Sequence, residues 1–234
     1  MTRLSLISSF DLRLTNEAWA FAASERPRID AHWTALQTGN PRIWNGDVLI
    51  CLAADLSNGA LTARFTRTDF ASFVAWRDWG WPDKAARNCF GSAVVVSSDG
   101  ALIYGRMGPH TLNAGQAYPP GGSLEPGDAD AEGRVDVIGS LRRELTEETG
   151  LNPGAAQAGD CLAVFDGQRL SVAQAYHFDL TAAEIEARVR RHIEEAEEEE
   201  LEGIAVLTSA SQVDSTMPGY AAAIARYFLD GTKV

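Results

Sequence analysis

Hydrophobic and polar positions change rhythm several times along this chain, and each change marks an element. Near Ser5–Leu14 they alternate with the period of two that a half-buried strand requires. Around Arg28–Gln37 the alternation gives way to a helix. Val48–Ala54 and Leu61–Thr66 are β-rich runs separated by a "SNG" turn, and Asp69 is placed to cap a helix reaching Trp79. "SAVVVSSDGALIYGR" then sets two β-rich runs around Asp99-Gly100, a dipeptide that tight hairpin turns favour. The Gly/Pro-rich "YPPGGSLEPGDADAEG" predicts a loop, and a helix begins near Asp136.

Downstream, strands are expected at Ala158–Asp166 and Leu170–Leu180, joined around Gly167. An acidic helix at Ala182–Glu195, a short strand at Ile204–Leu207 and a last helix stopping before Gly231 complete the pattern. Strands and helices interleave without a strict βαβ rhythm, so the expected class is mixed α/β. All six tryptophans fall between Trp19 and Trp81, and "WPDKAARNCFG" follows with a proline and a charged turn. That asymmetry predicts a small N-terminal α+β domain, residues 1–87, and a second domain, residues 88–234.

Composition adds bounds. The 234 residues are 45% hydrophobic and 22% charged, as in an ordinary globular protein. No apolar run approaches the ~18 residues that span a membrane, and the opening segment is too short in apolar residues for a signal peptide. Cys51, Cys89 and Cys161 are far apart and in no C-x-x-C pair, which predicts buried thiols in a reducing, cytoplasmic compartment. A net charge of −12 and a pI near 4.7 argue against nucleic acid as the main partner. They leave room for a small phosphorylated ligand, because arginines or a divalent cation reverse the sign of a pocket locally. No P-loop, serine-hydrolase elbow or dinucleotide-binding glycine turn is present.

The most informative segment is "LRRELTEETGL", residues 141–151. Ile138, Leu141 and Leu145 form its core-facing stripe, and Gly150 sits where a left-handed cap would stop the helix at Thr149. Glu144, Glu147 and Glu148 crowd one flank, although like charges at this spacing destabilise a helix by roughly 0.2–0.5 kcal/mol per pair. Glu147 points to solvent and Glu144 lies at the flank. Glu148, seven residues after Leu141, falls within about 20° of the buried stripe. An unpaired carboxylate there is strongly disfavoured. Arg143 can pair with one carboxylate at a time, so the remainder calls for another cation, and hard oxygen ligands suit Mg²⁺ or Mn²⁺. A solvated face of Glu/Arg pairs is the plainer alternative.

With the preceding "PPGG" (Pro119–Gly122), this segment resembles the Nudix box, G-x5-E-x7-R-E-U-x-E-E-x-G-U with U apolar. Arg143 to Leu151 matches the second half at every specified position. The first half departs: Asp128 stands where the pattern has Glu, and seven extra residues precede Arg143. The resemblance implies a Nudix-type α/β/α sandwich and hydrolysis of a nucleoside diphosphate linked to another group. It implies divalent metal held by Glu144, Glu147 and Glu148, the proton passing to Glu148 or to a distal glutamate, and Arg143 orienting the cluster. Glu199 and Glu200, just before a late apolar strand, are the candidate distal acids. Arg106, Gly121 and Gly122 are the candidate substrate contacts.

Within the extra residues, "DADAEGRVDVIG" imitates an EF-hand loop but has Gly139 where a bidentate glutamate is needed. The lengthened box and the tryptophan-rich N-terminal region together are similar to the UDP-sugar diphosphatase branch, implying UDP-glucose or UDP-galactose as substrate. ADP-ribose or another ADP-linked compound fits the bare box equally. A Nudix-fold module that binds without turnover, or an acidic adaptor, are the non-enzymatic alternatives.

Overall fold

A computed structural model describes residues 2–41, 43–195 and 200–231. The chain forms two compact units, one of Met1–Ile7, Phe90–Gly122 and Val137–Val234, the other of Ser8–Cys89 and Ser123–Asp136.

The larger unit is built on a seven-stranded sheet. Its strands are β1 (Arg3–Leu6), β5 (Asn88–Val96), β6 (Leu102–Met107), β7 (Ala117–Tyr118), β8 (Ala156–Asp166), β9 (Arg169–Phe178) and β10 (Leu201–Leu207). They lie in the order β1-β8-β9-β5-β6-β10, with β7 beside β6. Alternation along β5 serves both faces. Phe90, Val94 and Val96 pack with Tyr220 and Ile224 of α6 (Gly219–Asp230). Ala93 and Val95 pack with Leu141 and Leu145 of α4 (Val137–Thr149) and with Ile185 and Val189 of α5 (Ala182–Glu195). The unit is therefore a helix–sheet–helix sandwich.

The other unit has a three-stranded mixed sheet in the order β2-β4-β3. Strand β2 (Ser9–Leu14) is parallel to β4 (Ala60–Asp69), and β3 (Asp47–Ser57) is antiparallel to it. Helices α1 (Ala20–Ser24), α2 (Arg26–Gly39) and α3 (Phe70–Asp78) complete the unit. Its core gathers Trp19, Ile29, Trp33, Ile50, Val74 and Trp76. The indole N–H groups of Trp19 and Trp76 donate to Asp83, to its carboxylate at 2.9 Å and its carbonyl at 3.0 Å. Trp76, Trp79 and Trp81 thus belong to packing, whereas Trp44 is 80% exposed.

Two features depart from the expected organisation. The single strand Ser5–Leu14 is two strands, because each half finds a different partner: Leu4 and Leu6 pair with β8, Phe10 and Leu12 with β4. Alternation encodes a buried face but not the identity of the neighbouring strand. The division is also not a continuous one at residue 87. It falls inside β5, and the segment Ser123–Asp136 belongs with the tryptophan-rich unit. Backbone bonds explain why: Leu14 N–H donates to Gly133 O at 2.8 Å, Val135 N–H to Leu12 O at 3.0 Å, and Leu49 N–H to Leu124 O at 2.8 Å. The acids of this segment are used internally. Asp130 accepts from the backbone N–H groups of Glu132 and Arg134 and pairs with the Arg134 guanidinium at 2.8 Å. Asp128 is buried and accepts from the N–H of Glu125 at 2.9 Å.

Among the described residues no helix is long and apolar enough to cross a membrane. Cys51 and Cys89 are buried thiols, and Cys161 is partly exposed.

Candidate active site

Helix α4 lies on the sheet unusually closely. A Cβ on Gly91 of β5 would stand 2.6 Å from Leu141 Cβ, so this contact requires glycine. One layer out, a Cβ on Gly121 would meet the Gly91 carbonyl oxygen at 2.1 Å. The Pro120 carbonyl accepts from Ala93 N–H at 2.7 Å and fixes this turn on β5. The stop of the helix follows the sequence: Gly150 is left-handed at φ 68°, and Leu151 joins Leu145 in the core. His192 of α5 closes the last turn from outside, its Nε2 lying 2.7 Å from the Glu147 carbonyl oxygen. A carbonyl only accepts, so that nitrogen carries the proton.

The Gly-Gly turn and the helix flank bring two carboxylates together. Glu148 Oε1 accepts from Gly121 N–H at 2.9 Å. Glu148 Oε2 is enclosed and has no hydrogen-bond partner among the described residues, although the residue as a whole is only partly buried. Burial pushes the Glu148 carboxyl well above its ordinary value; the Gly121 bond opposes this, and the charges of Glu200, Glu144 and Glu147 add to it. Glu144 lies over Gly122, where a Cβ would come within 2.6 Å of its Oε2. The second glycine therefore leaves room for that carboxylate.

The other sequence-derived candidates are more dispersed. Glu147 is exposed, as its place on the helix wheel requires, though its charge is felt at Glu148. Arg143 is half-exposed, with Nη2 3.6 Å from Glu144 Oε1 and 3.4 Å from the Ser140 hydroxyl. Glu200 is exposed ahead of β10, where its carbonyl accepts from Gly108 N–H at 2.7 Å. Glu199 lies outside the described residues. Arg106, partly buried on β6, is felt at Asp214; the Thr216 hydroxyl and backbone chiefly hold that carboxyl below its usual value, and Arg106 adds to the effect. Tyr118 escaped the sequence reading. It is buried immediately ahead of Pro119, within electrostatic reach of both Glu148 and Glu200. Its only sequence signal is an aromatic adjoining the "PPGG" turn.

Among the described residues no three acidic, histidine or cysteine side chains converge closely enough to hold a metal unaided. Two observations nevertheless fit a hard cation. One is the enclosed, unpartnered oxygen of Glu148, and the other is a donor set made of carboxylates.

No family model and no curated protein matches the chain. Solved structures do resemble it. A Deinococcus radiodurans protein is 18% identical over 61% of this chain and 83% of its own, with a TM-score of 0.43. The MutT protein of Methanosarcina mazei is 18% identical over 63% and 96%, with a TM-score of 0.42. The Nudix domain of Shewanella oneidensis NrtR, complexed with ADP-ribose, is 14% identical over 57% and 81%, with a TM-score of 0.36.

What the site can do is set by its own atoms. A backbone N–H fixes one Glu148 oxygen, and the other is left without a partner among the described residues. Glycine at 122 gives Glu144 its place, and Arg143 lies beside Glu144. Mg²⁺ is commonly held by one or two carboxylates, with waters and substrate phosphates completing its shell. Two protein carboxylates are then sufficient.

Proposed function

We propose that this protein is a Nudix-type hydrolase that cleaves a nucleoside diphosphate derivative with the help of Mg²⁺ or Mn²⁺. The observation that carries this reading is the enclosed, unpartnered oxygen of Glu148, at the position that the complete nine-residue match from Arg143 to Leu151 assigns to metal. Glu144 and Glu148 would hold the cation, with Glu147 contributing from the solvent side. A cation so bound neutralises the diphosphate, polarises its oxygens and lowers the pKa of the attacking water. Gly121 N–H keeps the Glu148 carboxylate from rotating, Arg143 steadies Glu144, and Glu148 or Glu200 takes the proton released by water. Glu199 and Glu200 remain candidate metal ligands, and Arg106, Gly121 and Gly122 candidate contacts for the phosphates.

Within this class the substrate we propose is a UDP-hexose, cleaved to UMP and the sugar 1-phosphate. A lengthened box and an elaborate tryptophan-rich unit occur together here, and backbone pairing places the extra residues in that unit. ADP-ribose is the competing substrate, because the box itself does not read the base. A hydrolysis screen with Mg²⁺ and Mn²⁺ over UDP-glucose, UDP-galactose, ADP-ribose, NADH and plain or capped nucleotides separates them by product. Cleavage of ADP-ribose at least tenfold more efficient than of either UDP-hexose, about 1.4 kcal/mol in transition-state stabilisation, overturns the UDP-sugar assignment alone. Failure on every diphosphate overturns the hydrolase and favours a module that binds without turnover.

A further inference from the structure

The last turn of α4 carries Glu147 and Glu148, and the helix stops one residue later. The end of a helix leaves carbonyls without intrahelical donors. Leu151 N–H, which would continue the ladder to the Glu147 carbonyl, donates instead to the Thr149 hydroxyl at 3.2 Å. His192 of α5 takes its place, with Nε2 2.7 Å from the Glu147 carbonyl oxygen. The ring lies against Gly150, where a Cβ would stand 2.8 Å from Nδ1 and 2.9 Å from Cγ. Gly150 therefore serves twice, turning the chain at φ 68° and admitting the imidazole. The ring also comes from a fixed element. Ile185, Val189 and His192 are spaced i, i+4, i+7 along α5, and the first two are buried in one cluster with Leu141 and Leu145 of α4.

The Glu147 carbonyl belongs to the peptide unit that joins Glu147 to Glu148. Its bond to His192 fixes that unit, while Gly121 N–H holds the Glu148 carboxylate at 2.9 Å. Glu148 is thus tethered both at its backbone and at the tip of its side chain. A cation such as Mg²⁺ demands near-ideal geometry at about 2.0–2.1 Å, whereas the last turn of a helix is the part that frays. We propose that His192 is a positioning residue of the cation site, its Nε2–H holding the Glu147–Glu148 peptide so that the two carboxylates stand where a divalent cation needs them. This assignment rests on the hydrolase reading above, which does not itself require a histidine on α5.

The test uses the full chain and Mn²⁺ alone, with free Mn²⁺ read by electron paramagnetic resonance and no turnover required. His192→Ala removes ring and donor, His192→Phe keeps a ring without the donor, and His192→Gln restores an N–H near the same place. The first two should weaken Mn²⁺ binding about tenfold, as loss of a group that orients metal ligands does. His192→Gln should recover most of that affinity. A cap that serves only the fold would lower the melting temperature in EDTA and leave Mn²⁺ affinity as in the parent. That result overturns the assignment and leaves the hydrolase standing. Equal affinity in His192→Gln and His192→Phe also overturns it, because the donated hydrogen bond would then not be what matters. Should His192→Ala fail to fold, this second comparison decides. A parent that binds no Mn²⁺ overturns both the assignment and the metal-dependent hydrolase. A parent whose Mn²⁺ affinity depends on His192 yet cleaves no diphosphate removes the hydrolase and leaves the role of His192 standing.

Discussion

At Glu148 a carboxylate is enclosed, one oxygen is satisfied by a backbone N–H, and the other has no partner among the described residues. Leaving a buried acceptor unpaired costs about 1–3 kcal/mol, more for a charged group, so folding alone gives no reason to keep it. Glu148→Gln retains an oxygen for Gly121 N–H and removes the charge. We expect it to keep the fold by circular dichroism, to lose most turnover and to lose its response to Mn²⁺; an active variant contradicts the metal role. This residue was legible in the sequence because a helix is periodic, and seven residues after Leu141 falls beside the buried stripe. Tyr118 was not legible, since its position depends on the path of a loop, for which no period exists. Arg106 shows the opposite limit. Its strand is written in the β-rich pattern around Asp99-Gly100, but its nearness to Asp214 arises from chain far away in sequence.

Elements hold those residues in register, and two substitutions probe how. Gly91→Ala would drive a methyl group to within 2.6 Å of Leu141 Cβ, where both backbones are fixed by sheet and helix. Overpacking of this kind costs about 1–3 kcal/mol. The urea midpoint should fall accordingly, and an unchanged midpoint would show that α4 moves freely on the sheet. Asp69 caps α3, its Oδ1 accepting from Ser72 N–H at 3.2 Å. Burial alone would raise its pKa, but hydrogen bonds from Ser72 and Asn45 and the pairing with Arg26 hold it below the ordinary value. Its charged form therefore stabilises the fold above the unfolded-state value of about 3.9, and that stabilisation disappears as pH falls through the lower folded value. Asp69→Asn keeps a good cap and should flatten the acid limb of stability against pH, whereas Asp69→Ala should cost about 1 kcal/mol at neutral pH. An acid limb identical in parent and Asp69→Asn rules this out. Capped and periodic elements such as α3, α4 and α5 were readable from local chemistry. The five residues of α1 and the two of β7 were not, because they are too short to carry a period.

At the scale of the whole chain, bound cation and chain connectivity both become measurable as stability. A cation that binds only the native state raises stability by about 2.7 kcal/mol at a hundredfold excess over its Kd. The melting temperature should rise in millimolar Mn²⁺ and return with EDTA, and no response would remove the metal from the site. Connectivity predicts more. Tryptophan usage suggested a cut at residue 87, yet composition cannot show that a strand from the extreme N-terminus is needed elsewhere. Strand β1 pairs with β8 through Arg3–Phe165, Leu4–Val164, Ser5–Ala163 and Leu6–Leu162, and Ile7 N–H extends the pairing to Cys161 O. A fragment of residues 88–234 loses that strand and leaves β8 as a bare edge, whose unpaired N–H and C=O groups invite association. It also carries Ser123–Asp136 without β2 and β3, the partners of Leu124, Gly133 and Val135. The fragment should therefore aggregate or unfold without a cooperative transition. Restoring residues 1–7 alone should repair the β8 edge but not the orphaned segment. If residues 88–234 instead give a soluble monomer that unfolds cooperatively and is stabilised by Mn²⁺ as the full chain is, neither β1 nor the pairing of Ser123–Asp136 is needed to build the site.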